Sequence, residues 1–375
     1  MKTTAIRILV PMVMAVLTVS AGRATQTTTS PQLTVKYIIS EVCTVPGCDV
    51  TYAICCNSAK VVAGYAYKFV PPGHGNSMLS HPFVWQNGKV TALPGIGGKF
   101  GQAYSVNSAG DVAGYAETSN YEEKPIIWRR ANGYAPERLT GGAGGVKSLS
   151  EHGNIAGGSL GRNGRTCAAI WNNCKAKIVG ATTDEESVCN AINSAGVGVG
   201  FVVPAGKQAE SMRTEGDRSA AMWVNGREQL LRGLGGPFSE CKAINDQGQI
   251  VGWAVDGAHN RKACSWNVAN HAVTTLAEIA DANTEAHSIN GNGDIVGQAT
   301  VPIKSDHTSK LIACLWHNGT LIDLNTVVPP GSGWTLSIAT HISDSGVITG
   351  FGTVSKFAGN RWRAFMLVPV IVPVQ

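Results

Sequence analysis

Along most of this chain, apolar and polar positions come in short runs, and the runs return in a fixed order. Residues 103–115 read AYSVNSAGDVAGY, residues 243–253 AINDQGQIVGW and residues 286–298 AHSINGNGDIVGQ. In each phrase a short apolar strand ends at a polar residue, a turn follows, and a second apolar strand begins. Beyond the first two dozen residues no long stretch carries helical spacing of apolar positions. The glycine closing the second strand recurs at Gly64, Gly114, Gly157, Gly200, Gly252, Gly297 and Gly350, 43 to 53 residues apart. A tryptophan follows each of the first six, at Trp85, Trp128, Trp171, Trp223, Trp266 and Trp316, and Leu367 takes that place in the seventh. Seven units of this length predict an all-β fold, a seven-bladed β-propeller with four strands per blade.

Each unit divides accordingly. Strand one ends at the SVN or AIN step, strand two is the DVAGY or QIVGW run, strand three ends at the tryptophan, and strand four follows the next turn. That turn is written WQNG, WVNG and WHNG, and Asn-Gly between apolar runs is a strong hairpin signal. WNNC in unit three and WNVANH in unit five depart from it. Between strands one and two, Asn107, Asn193, Asn245 and Asn290 stand three before a glycine, as do Ser150 and Ser343, which predicts type I turns. The mid-strand glycine is expected to allow close packing beneath the tryptophan of the neighbouring strand. The seventh unit stops after its third strand, while residues 33–41 form an orphan strand ahead of the first. Together they predict a ring in which the N-terminal strand completes the last blade, so that no sheet edge stays open. The expected boundaries are 25–31 for a short N-terminal segment, 32–368 for the propeller and 369–375 for a tail.

Composition changes this picture at its margins. Forty-five glycines and few charged residues suit strands joined by tight turns. Residues 1–24 have the order of a secretory signal peptide: a basic start at Lys2 and Arg7, an apolar run, then small residues, with cleavage after Ala21 or Ala24. The run is too short for a membrane span. The leader removes three basic residues, so 30 basic against 25 acidic becomes 27 against 25, and no basic stripe argues for nucleic acid. Ten cysteines are compatible with an oxidising compartment. Cys43 and Cys48 flank TVPG and could close a small loop, while most of the others are expected as buried thiols.

The unit A-x-x-I-N-x-x-G-x-I-V-G, followed by HPF at His81–Phe83 or RAF at Arg363–Phe365 and W-x-N-G, resembles the bacterial extracellular HAF repeat family over the whole mature chain. The resemblance implies a secreted or periplasmic, propeller-like bacterial protein. It brings no activity, cofactor or catalytic residue to carry over.

Motifs that could carry chemistry read as parts of the repeat. GGSLG at Gly157–Gly161 has the nucleophile-elbow pattern but belongs to a strand with no helix after it, so Ser159 reads as structural. NGNGD at Asn290–Asp294 has alternating oxygen ligands but lacks a distant bidentate Glu, so it reads as a turn rather than a calcium loop. No H-E-x-x-H or Cys-x-x-Cys pattern points to zinc, and no cofactor is expected. His81, His287 and His341 fall in repeat strands and read as structural or surface residues.

The architecture leaves one asymmetry. Turns between strands one and two, and between three and four, emerge on one face and are tight and repeated. Connections between strands two and three, and between blades, emerge on the other face and vary widely. Variable loops on a rigid scaffold are where binding is usually built. The candidate ligand residues are therefore Tyr67, His74, Tyr121, Lys207, Arg213, Glu215 and Trp334, with Tyr and Trp suited to stacking and Arg to carboxylates. The expected protein is a monomeric exported binding module for a glycan, peptide or protein, and ligand capture is expected to fall without loss of stability when Trp334, Tyr121 or Arg213 is changed. The alternatives are a hydrolase or lyase acting on a polymer in the central funnel, and a structural envelope component.

Overall fold

The computed structural model describes residues 33–373 except 71–77, 152, 154, 163–164, 181–184, 204–217, 306–307 and 356–361. The leader, residues 25–31, and the candidates His74, Lys207, Arg213 and Glu215 lie outside the described residues. Seven four-stranded antiparallel sheets follow one another along the chain. Their inner strands are Val50–Cys56, Gly97–Val106, Gly144–Leu149, Glu186–Ile192, Gly235–Ile244, Asn283–Ile289 and Trp334–Ile342. Each inner strand touches the inner strands of both neighbouring blades, so the seven form a closed ring around a central axis. No helix among the described residues is long and apolar enough to cross a membrane.

The seventh blade closes as the ends of the sequence predict. Leu33–Glu41 is its outermost strand and pairs with Arg363–Pro373 in continuous register, from Leu33 opposite Pro373 to Glu41 opposite Phe365. That last strand runs past Val368, so residues 369–373, expected as a tail, belong to the blade. The cores lie between blades. Val42, Val45, Val347, Ala364 and Met366 of the closing segment share one apolar cluster with Ala53, Phe83 and Trp85 of the first blade. Cys48 packs against that cluster while Cys43 is exposed, and the two remain free thiols rather than the bridge that their spacing allows. Cys55, Cys56, Cys167, Cys189, Cys241, Cys264 and Cys314 are buried thiols.

The mid-strand glycine has a different cause from the one its sequence context suggests. In every blade the inner strand carries a β-bulge opposite it. A Cβ at Gly64, Gly114, Gly200, Gly252, Gly297 or Gly350 would lie 1.9–2.1 Å from a backbone carbonyl oxygen of the bulged strand. Only glycine leaves room for that oxygen. In blade three the residue in this position is Gly158, whose Cβ would meet the Gly145 carbonyl at 2.1 Å, and not Gly157, which faces the Cys189 thiol. Blade three has one more residue between its turn and this glycine, which shifts the frame. The tryptophans are buried on the neighbouring strand, but two positions from the glycine's partner: Trp85 lies opposite Val62, and Gly64 opposite Phe83.

The hairpin turns follow the Asn-Gly code. Asn87, Asn225 and Asn318 have φ of 51°, 54° and 49°, and each is followed by a glycine near 75–80°. Asn173 and Cys174 make the same double positive-φ turn in blade three, so WNNC keeps the geometry, with cysteine in the glycine's place. Ser159 lies mid-strand within Ile155–Arg162.

Candidate functional site

Because a β-bulge adds one residue to a strand, it re-aims a side chain. The bulged residues here are Ile54, Tyr104, Lys147, Asn190, Lys242, His287 and Thr340. They come from equivalent places on the seven inner strands. Their interactions show convergence on the axis, since Lys147 of blade three feels Lys242 and Glu240 of blade five across the intervening blade.

One arc of this wall is aromatic. Tyr52, Tyr65 and Tyr67 of blade one sit with ring centroids 5.3–5.7 Å apart. Tyr65 continues to Tyr104 at 6.3 Å, and Tyr104 to Tyr115 at 6.1 Å. On the other side Tyr52 meets Phe351 of blade seven at 5.4 Å, and Phe351 meets Trp362 at 5.7 Å. Gln102 donates to the Tyr67 hydroxyl at 3.0 Å and accepts from that of Tyr104. Burial pushes the Tyr65, Tyr104 and Tyr115 phenols up, reinforced by neighbouring hydroxyls and, at Tyr115 first and Tyr104 as well, by the Glu123 carboxylate, so they stay neutral.

The opposite arc is charged. Glu240, 2 % exposed, accepts from Arg218 at 2.7 Å, from Lys242 at 2.7 Å and from the Asn190 amide at 2.9 Å. Burial alone would raise its carboxyl, but Lys242 and Arg218 hold it below the usual carboxylate range. Next to it in blade six, Glu285 pairs with Arg261 at 2.5 Å and faces His287 Nε2 at 3.6 Å, while Arg261 lies 4.2 Å from the Trp253 ring centroid. Burial opposes ionisation there too, yet His287 and Arg261 bring the Glu285 carboxyl down to about 2. Lys147 stands between the two arcs, its ammonium 3.8 Å from the Tyr104 ring centroid. Burial pulls its pKa down to about 8, with Lys242 adding to the effect and Glu123 and Glu240 opposing it.

The repeated turns ring the other end of the axis. They surround a cavity of about 290 Å³ lined by Asn57, Ser108, Glu151, Asn193, Asp246 and Asp344 among others. Four of the five turn asparagines do two jobs, and Asn107 does only the first among the described residues. Their carbonyl oxygens accept the N–H four residues on, as at Asn245 from Gln249 at 2.9 Å. Their amide groups donate to the equivalent carbonyl of the next blade: Asn57 to Asn107, Asn193 to Asn245, Asn245 to Asn290, and Asn290 to Ser343, at 2.8–3.3 Å. Glu151, Asp246 and Asp344 accept backbone N–H groups of Ser108, Ser194 and Gly291, so these carboxylates also fasten blade to blade. His341 accepts from the Cys56 N–H at 3.4 Å, and burial, against the pull of Asp344, holds its imidazole at about 4, neutral above that. Asn290 of the NGNGD turn is thus a fastening residue.

On the loop-rich face the residues are of another kind. Six large apolar side chains are exposed among the described residues, and four of them lie at connections between strands two and three: Phe69, Tyr121, Ile303 and Trp362. They belong to blades one, two, six and seven, a continuous arc. The same face holds a cleft of about 560 Å³ between blades five and six, lined by Phe238, Val255, His259, Arg261, Asn283, Glu285 and Thr300. Sequence reasoning missed this cleft, whose residues come from five separate strands and one turn. Of the candidates read from sequence, Tyr67 joins the aromatic arc and Tyr121 is 67 % exposed. Trp334 is half-buried, packed edge-on against the buried Phe365 at 6.0 Å, so it supports the core of blade seven.

No family model and no curated protein matches this chain. The solved structures are more informative. The β-propeller domain of the trilobed protease from Pyrococcus furiosus aligns with a TM-score of 0.55 at 9% identity, covering 88% of this chain and 96% of that domain. The fold is a β-propeller. That domain has an open velcro topology, whereas here the N-terminal strand closes the seventh blade. The acylaminoacyl peptidase of Pyrococcus horikoshii aligns with a TM-score of 0.55 at 9% identity over 87% of this chain and 53% of its own. The chain therefore spans about half the length of that peptidase. TolB from Acinetobacter baumannii aligns with a TM-score of 0.43 at 12% identity, covering 83% of this chain and 66% of that one.

Proposed function

We propose that this protein is an exported, secreted or periplasmic, binding module that takes an extracellular ligand on its loop-rich face. One observation carries the reading: exposed Phe69, Tyr121, Ile303 and Trp362 gather along one arc of that face. The opposite face is made of short turns whose polar groups are occupied in fastening the blades. Exposed aromatic groups on a rigid ring lose little conformational entropy on binding, which suits capture of a glycan, peptide or protein. The signal-peptide order of residues 1–24 supports export.

Glycan and peptide arrays probed with the mature protein test this. Tyr121→Asn and Trp362→Ala are expected to lower capture at least tenfold, whereas Leu230→Ser on an outer strand is not. Tyr121 has φ of 62°, so asparagine fits that backbone better and stability is expected to hold. Undiminished capture by both rim variants would overturn the reading. Self-assembly of a protein that captures nothing would favour an envelope component instead.

A further inference from the structure

Two cations share one carboxylate near the axis, and a third acts on it from beyond ion-pair distance. Glu240 holds Arg218 and Lys242 directly, and Lys147 of blade three feels the same group electrostatically across blade four. No ion pair of Lys147 is formed within 4 Å among the described residues, and its close neighbour is the face of Tyr104. Lys147 and Lys242 repel across the axis, Glu240 is already taken, and Glu123 offsets Lys147 only from beyond ion-pair distance, so the Lys147 ammonium has no direct carboxylate partner among the described residues in a partly desolvated space. Structures tolerate such an arrangement where a ligand supplies the missing charge. The adjoining wall states what else that ligand carries. Tyr104 leads to Tyr65, and from there to Tyr52 and Tyr67, a run of ring faces edged with hydroxyls and with the Gln102 amide. Ring faces receive the apolar side of a flat ring, and hydroxyl and amide edges receive hydroxyl groups.

We infer that the channel binds the carboxylate of a uronic-acid sugar at Lys147, with the sugar ring against Tyr104 and Tyr65. This rests on the reading of the loop-rich face as the ligand face, because the tyrosine run reaches that mouth through Phe351 and Trp362. The shared chemistry is a carboxylate on a six-membered ring, and an aromatic acid is its other source. An array of tyrosine hydroxyls favours the sugar.

The probes are a mannuronate trimer, the same trimer methyl-esterified, and benzoate, titrated calorimetrically into the mature protein. Wild type is expected to bind the acid trimer at least tenfold more tightly than the ester or benzoate. Lys147→Met keeps the stem against Tyr104 and removes the charge, so it is expected to abolish that preference while leaving the melting temperature unchanged or raised. Affinity is also expected to fall as pH rises through about 8, where Lys147 loses its proton among Tyr104, Glu123, Glu240 and Lys242. Equal binding of acid and ester, tighter binding of benzoate, no binding of the trimer, or an unchanged preference in Lys147→Met would each overturn the inference. Trp362→Ala separates the two claims. If it weakens array capture while Lys147→Met leaves acid and ester preference untouched, the ligand face stands and the carboxylate site falls.

Discussion

Trp85 and Trp128 occupy the same place in neighbouring blades, both buried, yet their indole N–H groups fare differently. Trp128 donates to the Pro94 carbonyl at 2.9 Å, tying its blade to the link before it, and Trp171, Trp266 and Trp316 repeat that bond. Trp85 Nε1 is buried and finds no partner among the described residues. The segment before its blade is the closing link after Leu33–Glu41, which differs from the six other links. Replacing either residue with Phe loses similar packing, but only Trp128→Phe loses a hydrogen bond. Chemical denaturation should therefore find Trp128→Phe about 1 kcal/mol more damaging than Trp85→Phe. Equal losses would show that the indole bond contributes nothing. The turn asparagines teach a related lesson. Their preference over Asp or Ser was visible in the repeat and reads there as turn chemistry. At Asn57, Asn193, Asn245 and Asn290 the reason for Asn is that a single side chain both accepts from its own turn and donates to the next blade, and Asp lacks the donor.

At the scale of the strand, the bulge explains what periodicity alone leaves open. A two-residue alternation predicts which side chains face inward, but an inserted residue breaks that register and turns Tyr104, Lys147 and Lys242 toward the axis. The glycine opposite the bulge was legible as a repeated residue. Its cause was not, because a clash with a carbonyl oxygen on another strand leaves no trace in local pattern. Blade three makes the point, where one extra residue moves the structural glycine from Gly157 to Gly158. Gly158→Ala is expected to destabilise by about 3 kcal/mol or more, as a Cβ forced against backbone cannot be relieved by a rotamer change. Gly95→Ala meets nothing within 4 Å and is expected to be neutral. Similar melting temperatures for the two variants would contradict the bulge account.

Over the whole molecule, seven copies of one unit and complementary first and last strands made the ring and its closure readable in the sequence. The face proposed for ligand was readable as an asymmetry of loop length, and the structure puts exposed Tyr121 at one of its loops and Tyr67 in the aromatic arc. Trp334 does not belong with them, because its aromatic side chain turns back onto Phe365. The charged centre was hidden for a different reason: Glu240 and Lys242 lie two apart on one strand, but Lys147 feels them only when the inner strands of blades three and five face across the axis, and no spacing along the chain encodes that. The turn phrase itself proved to be a fastening ring, and recognition is proposed for the variable face. Hydrogen exchange on the mature protein, with and without a captured ligand, tests that division most directly. The account predicts slowed exchange around Phe69, Tyr121, Ile303 and the start of Arg363–Pro373, with no change at Asn57–Val61, Asn107–Asp111 or Asn245–Gln249. Protection confined to those turns instead would contradict it.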